Sequence, residues 1–141
     1  MPIELRGGKL TCCVKKAIAR FEALLEKVPD RYSGLLVGYN SSLSQAYAQI
    51  GDFEKAEKHL RDAGAVLTSL KRAPNYALIG PAWTTSFLSA QAELAFQRGH
   101  FLEAEITLRK IIDLFAPYIK GMEAMVISTG DTERAPGLGS D

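Results

Sequence analysis

The chain has 141 residues, of which 47% are hydrophobic and 23% charged, which is enough apolar material for one domain with a real core and argues against wholesale disorder. Seventeen basic against sixteen acidic side chains leave a net charge of +1, whereas a dedicated binder of nucleic acid or of an anionic membrane needs a basic excess. Two cysteines and two histidines are too few for the common four-ligand zinc sites, and no apolar run approaches the ~20 residues of a membrane helix.

The amino end is predicted to be a short extension, residues 1–8, followed by one helix over 9–29. The extension has no apolar stretch of the kind that a secretory signal needs, so we expect a cytoplasmic protein. Apolar residues then recur in steps of three and four, which places them on one helical face. They are Val14, Ala17, Phe21, Leu24 and Val28. Pro29 ends the helix.

Residues 32–73 predict a hairpin of two helices with a tight turn at Gly51. The apolar positions that keep helical spacing are Tyr32, Leu35, Leu36, Tyr39, Leu43, Ala46, Tyr47 and Ile50 before the turn and Phe53, Ala56, Leu60, Ala63, Leu67 and Leu70 after it. Glycine is the residue best suited to the positive φ that ends many helices. Asp52 comes next, where a carboxylate can cap the following helix.

The segment 97–109 repeats the segment 49–61, because Gly99 follows Gly51 by 48 residues with matching neighbours. Seven of the thirteen aligned positions are identical: Gln49/Gln97, Gly51/Gly99, Phe53/Phe101, Ala56/Ala104, Glu57/Glu105, Leu60/Leu108 and Arg61/Arg109. Two unrelated segments of this length would share roughly one residue. The repeat therefore predicts a second helical hairpin over 81–119.

Beyond the second hairpin, an apolar stretch over 119–127 predicts a sixth, short helix. From Ser128 onward, Gly, Pro, Ser, Thr and charged residues follow one another without periodicity, which predicts a disordered tail over 128–141. The helix over 9–29 matches the second helix of a hairpin and has no partner helix before it. We therefore predict an all-α domain over 9–127 with a half repeat, two hairpins and five to six helices.

The turn and second helix of each hairpin resemble the tetratricopeptide repeat (TPR), a helical hairpin that stacks into a superhelix. The family pattern has a small residue and a tyrosine in the first helix, a glycine at the turn, then an aromatic, an alanine and further apolar residues. Its positions are Ser44, Tyr47, Gly51, Phe53, Ala56, Leu60 and Ala63 in the first copy and Ala92, Ala95, Gly99, Phe101, Ala104, Leu108 and Ile111 in the second. The spacing of 48 residues exceeds the ~34 of the family, which indicates a long-helix variant.

The resemblance implies a right-handed α-α superhelix whose concave side, lined by the first helix of each hairpin, binds an extended peptide or a helix. Transferred to this sequence, the groove positions of the family are Ser41, Gln45, Ala48 and Gln49 in the first copy and Ser89, Glu93, Phe96 and Gln97 in the second. None is a lysine, arginine or asparagine, with which the chaperone-binding members clamp a carboxylate. Amides, hydroxyls and one aromatic instead suit a peptide of mixed polar and apolar character.

Two aromatic residues each have two interpretations. Phe96 either lines the groove or packs against the neighbouring hairpin. Trp83, just after Gly80 and Pro81, is expected in the core at a helix start, and an interface role is its alternative.

Residues able to do chemistry are few. Cys12 and Cys13 lie at a predicted helix start beside lysines, a setting in which reactive thiols arise, but we expect one in the core and the other as an incidental surface thiol. His59 and His100 have no ligands at metal spacing and are expected to be solvated. No phosphate loop or nucleophile motif is present. We therefore expect no catalysis, no metal site and no cofactor.

The expected function is that of a non-catalytic interaction module, a scaffold or adaptor that binds a protein or peptide through the concave face or through an exposed end helix. A half repeat would leave Phe21, Leu24 or Leu25 uncovered, which is consistent with a homo-oligomer, a larger complex or a fragment of a longer repeat protein. The alternatives are a regulatory domain that senses a peptide or ligand, and an enzyme that uses Cys12 or Cys13.

Overall fold

The chain is helical throughout the part that a computed structural model describes, which is residues 2–29 and 32–133 for the backbone and 11–29 and 32–128 for the side chains. The five helices are α1 (Pro2–Leu25), α2 (Gly34–Gln49), α3 (Phe53–Leu70), α4 (Tyr76–Gln97) and α5 (Phe101–Glu133). No strand occurs in these residues. The all-α class predicted from the sequence is therefore confirmed.

Both predicted turns have the backbone geometry that their glycines indicated. Gly51 has a φ of +82° and Gly99 a φ of +79°, in the left-handed region that residues with a side chain rarely adopt. At the first turn, the Asp52 carboxylate accepts a hydrogen bond of 3.2 Å from the Lys55 amide and so caps α3. The pairs α2–α3 and α4–α5 thus share the geometry of their turns as well as their sequence.

Helix α2 is central to the compact unit that residues 1–111 form. It packs against α1, α3 and α4, and α3 also packs against α4. The core takes one to three residues from each of these four helices: Ile18, Leu43, Tyr47, Ala48, Ala56 and Leu94. The two alanines are fully buried, and such small side chains let neighbouring helices approach closely. The remaining residues, from Ile112 onward, form a second unit.

His59 is buried rather than solvated, which corrects the expectation from the sequence. Its Nδ1 lies 2.9 Å from the Asn40 side-chain oxygen on α2, and its ring stacks on that of Tyr47 with the centroids 5.6 Å apart. Burial of the ring, reinforced by the Lys58 charge, lowers the pKa of His59 below its ordinary value. The neutral imidazole therefore acts as a core residue that fixes α3 against α2.

Two hydroxyl groups of α2 form hydrogen bonds to the neighbouring helices α3 and α1. Ser44 Oγ donates a hydrogen bond of 2.8 Å to the Ala56 carbonyl on α3, and the Tyr47 hydroxyl donates to the Glu22 carboxylate on α1. Burial and the neighbouring Glu22 raise the pKa of Tyr47 to about 12, so the phenol stays protonated and remains a donor. Buried polar groups with such partners specify one register between helices.

The helix ends differ from the prediction in four places. Helix α1 begins at Pro2 instead of after an extension and ends at Leu25, four residues before Pro29. Helix α4 begins at Tyr76, more than a turn before its predicted start, and α5 continues through Pro117 without a break. A proline inside a helix frees one carbonyl, but Pro117 is exposed, so water can satisfy that group. The tail predicted to be disordered over 128–141 is helical over 128–133, where α5 ends. Its remaining residues, 134–141, lie outside the described residues.

Candidate protein-interaction surface

The residues expected to line a binding groove lie on α2 and α4, which are neighbours in the fold. Steps of three and four residues place the members of each row on one side of their helix. The rows are Gln45 and Gln49 on α2 and Ser89, Glu93, Phe96 and Gln97 on α4, with Gln49, Phe96 and Gln97 exposed and the other three partly exposed. We call these six residues the α2–α4 surface.

Two expected groove residues are not part of this surface. Ser41 is only 2% exposed, and Ala48 is likewise buried, so neither can contact a partner while α2 is packed in this way. The Ser41 hydroxyl has no hydrogen-bond partner in the part of the chain that the structure describes. The groove positions of the TPR family therefore transfer to α2 only in part, because α1, α3 and α4 together cover most of this helix.

Phe96 lies at the surface, which favours the groove interpretation over packing in the core. Its side chain is 55% exposed and meets the ring of Phe101 edge-on, with centroids 5.5 Å apart. Phe101 was expected on the buried face of the second hairpin, as its repeat counterpart Phe53 is, yet it is 63% exposed. An exposed aromatic pair therefore flanks the turn between α4 and α5.

The polar members of the α2–α4 surface offer both donors and acceptors. Gln97 Nε2 donates a hydrogen bond of 2.9 Å to the Glu93 carboxylate, which holds both side chains along α4. Side-chain amides such as those of Gln45 and Gln49 can donate and accept at once, which matches the alternating groups of an extended peptide backbone. Glu93 gives the surface its single formal charge, and it is negative. The surface thus presents a polar strip beside an aromatic edge.

A cleft of about 300 Å³ lies on the opposite side of α4, between α3 and the start of α5. Arg98 lies at its centre, with a guanidinium nitrogen 2.5 Å from the Glu57 carboxylate and its guanidinium carbon 5.4 Å from the Phe53 ring centroid. The Arg98 guanidinium also lowers the pKa of Glu57. Arg61 approaches the same carboxylate at 4.0 Å. The ion pair of Arg98 with Glu57 therefore joins the end of α4 to α3, and so links the two repeats.

Sequence reasoning missed Arg98, because the repeat gave no signal for it. Its counterpart in the first turn is Ile50, which cannot form an ion pair. The cleft also contains His100, which is exposed as expected and lies 3.5 Å from the Glu103 carboxylate. The only sequence signal for this contact is the position of Arg98 directly before the Gly99 turn, with the acidic residue Glu57 in the preceding repeat.

The residues considered for chemistry are not assembled into a site. Cys12 and Cys13 are both exposed, so the expectation that one of them faces the core is wrong. Among the described residues, no group of three or more His, Cys, Asp or Glu side chains is placed to hold a metal ion.

Trp83 belongs to the interior contact between α4 and α2. Its indole ring is partly buried and lies against Gly34, where an added Cβ would fall 2.4 Å from Trp83 Cζ2. The position of Gly34 at the start of α2 therefore lets the ring pack directly on the helix backbone. This contact fixes how α2 and α4 sit side by side and so positions the α2–α4 surface.

Comparison with known proteins returned no match to any family model, to any curated protein or to any solved structure. Among the described residues, no helix has both the length and the apolar character needed to cross a membrane. The likeness to the TPR therefore rests on the two sequence copies and on the paired glycine turns described above.

Proposed function

We propose that this protein is a non-catalytic interaction module of the TPR type, a scaffold or adaptor that binds a protein or peptide across the α2–α4 surface. The observation that carries the proposal is the exposed aromatic side chain of Phe96 next to the Gln97 amide on α4, with the Gln49 amide also exposed at the end of the neighbouring helix α2. Large aromatic side chains with adjacent polar groups are enriched where proteins bind one another. The right-handed superhelix is part of the same proposal, and the repeated helix–turn–helix units support it.

The proposed ligand is an extended segment of mixed character. Its backbone would exchange hydrogen bonds with Gln45, Gln49 and Gln97, while an apolar side chain would pack on the Phe96 ring. A C-terminal carboxylate is a poor ligand, because the surface has no cation and Glu93 would repel it. The exposed free thiols of Cys12 and Cys13 agree with a reducing compartment such as the cytoplasm.

Affinity capture of partners from native lysate tests this proposal. The full chain should retain a partner that Phe96→Ala and Gln49→Ala each weaken about tenfold or more, as expected for the central residues of a small interface. Leu102→Ala is the matched control, since Leu102 is a large apolar residue, 71% exposed, outside the α2–α4 surface. A partner that binds both surface variants as tightly as the parent chain would contradict the proposal.

A further inference from the structure

Most of the large apolar side chains that the structure leaves exposed lie on one helix, α5. From Ile112 onward they include a row in steps of three and four residues, at Ile112, Phe115, Ile119 and Met122, with Tyr118, Met125, Val126 and Ile127 also exposed. The exposed fractions of the four residues in the row are 62%, 37%, 49% and 66% in that order. We call these four residues the α5 seam. Steps of three and four over a long helix give a row of the kind that a two-stranded coiled coil buries.

We propose that the α5 seam binds the α5 seam of a second copy of this chain, with the two helices antiparallel. In this orientation, Ile112 faces Met122 of the partner subunit and Phe115 faces Ile119 of the partner subunit. The two-fold symmetry repeats both pairs, so every seam residue of both copies has a partner. Leu108 and Val126, both exposed, continue the same spacing at the two ends. The seam is therefore self-complementary, as a two-fold interface requires.

Charges beside the seam favour a second copy as the occupant and fix its orientation. Arg109 and Glu123 occupy equivalent positions, each one residue after a seam-type position. In an antiparallel pair these positions face each other, so Arg109 lies beside Glu123 of the partner subunit, twice in the dimer. In a parallel pair Arg109 and Glu123 would not face each other, and this ion pair would not form. The antiparallel second copy thus gains two ion pairs between Arg109 and Glu123 that a parallel copy lacks.

The other side chains around the seam are compatible with this contact. Arg109 already binds the Glu105 carboxylate at 2.7 Å, and a guanidinium has donors left for a second carboxylate. Tyr118 lies near the two-fold axis, where its ring, 6.3 Å from that of Phe115, adds contact area. Pro117 lies on the outer side of the helix, so it does not interrupt the seam.

The size of the contact sets the expected strength. The helix from Leu108 to Val126 is about 28 Å long at 1.5 Å per residue. A single pair of helices of this length lies at the low end of stable interfaces, so the dimer should dissociate on dilution. This inference goes beyond the proposed function, since the α2–α4 surface is not part of the seam.

Sedimentation of the full chain from about 1 µM to about 100 µM tests the inference. The parent chain should shift from monomer to dimer with concentration, and Met122→Lys should weaken the dimer at least about tenfold, since it places a charge against Ile112 of the partner subunit within the seam. Ala124→Lys is the matched control, because Ala124 is exposed on the outer side of the same helix and should leave the dimer unchanged. Circular dichroism should show equal helix content in both variants.

A charge exchange tests the orientation. Glu123→Arg should weaken the dimer by placing two arginines together, and the double variant Arg109→Glu with Glu123→Arg should restore it. A parent chain that stays monomeric over the whole range would overturn the proposal, and would leave another protein or another segment of this chain as the occupant. Equal effects of Met122→Lys and Ala124→Lys, or no recovery in the double variant, would also contradict it.

Discussion

At the scale of single residues, the buried polar contacts of α2 do most to define the fold. Asn40 lies at hydrogen-bond distance from His59 on α3, Ser44 donates to the Ala56 carbonyl on α3, and Tyr47 donates to Glu22 on α1. Asn40 also donates to the Leu36 carbonyl one turn earlier in α2. Helix α2 therefore cannot slide along α1 or α3 without losing a hydrogen bond. An unsatisfied buried polar group costs about 1–3 kcal/mol. These contacts therefore select one register among the several that apolar packing alone would allow.

His59 should make stability depend on pH. Its pKa is lowered in the folded chain, so between that value and about 6.5 the unfolded chain binds a proton that the folded chain does not. Stability present above pH 6.5 is therefore lost as the pH falls below it. Thermal unfolding at pH 7.5 and pH 5.5 should show a larger loss in the parent chain than in His59→Gln. An equal loss in both proteins would show that His59 does not titrate in this way.

Among single residues, the turn glycines were predictable from the sequence and the burial of His59 was not. The positive φ of Gly51 and Gly99 was predictable, because a turn after a helix depends on the nearest neighbours in the chain. The burial of His59 was not, because polar spacing on α3 reads as a solvated face. Its position depends on Asn40 and Tyr47, which are distant in sequence and come close only through packing.

At the scale of helices, the contact of α2 with α4 depends on one glycine. Gly34→Ala should destabilise the chain by about 1–3 kcal/mol, since the new Cβ would overlap the Trp83 ring. Gly38→Ala, in the same helix, meets no atom within 4 Å and should instead stabilise by about 0.5–1 kcal/mol. Denaturant unfolding of the two variants measures both effects. A Gly34→Ala variant as stable as Gly38→Ala would show that Trp83 does not pack there.

Helix identities were predictable from periodicity, and helix ends were less so. A separate sixth helix was expected over 119–127, after the second hairpin. Helix α5 instead runs from Phe101 to Glu133 and includes this segment and Pro117, although proline disfavours the interior of a helix. The burial of individual side chains was also not predictable from the repeat.

The Arg98 side chain covers Phe53, but its counterpart Phe101 is exposed. The two residues occupy the same position of the repeat, so the sequence pattern does not distinguish them.

At the scale of the whole molecule, the repeat gives the functional hypothesis and the structure narrows it. Gln49 and Gln97 are repeat counterparts, and both are exposed on neighbouring helices. The family positions also predicted Ser41 and Ala48, which the packing of α2 buries. That α2 and α4 carry a binding surface stays a prediction from the repeat, and the tertiary contacts decide which of the expected side chains are exposed.

The proposed binding of partners across α2 and α4 can be tested by site-specific photocross-linking in native lysate. A photoreactive residue in place of Gln97 should capture the partner. The same group in place of Lys58, which is exposed on α3 outside the α2–α4 surface, should capture little. Cross-linking from position 58 and none from position 97 would contradict the account.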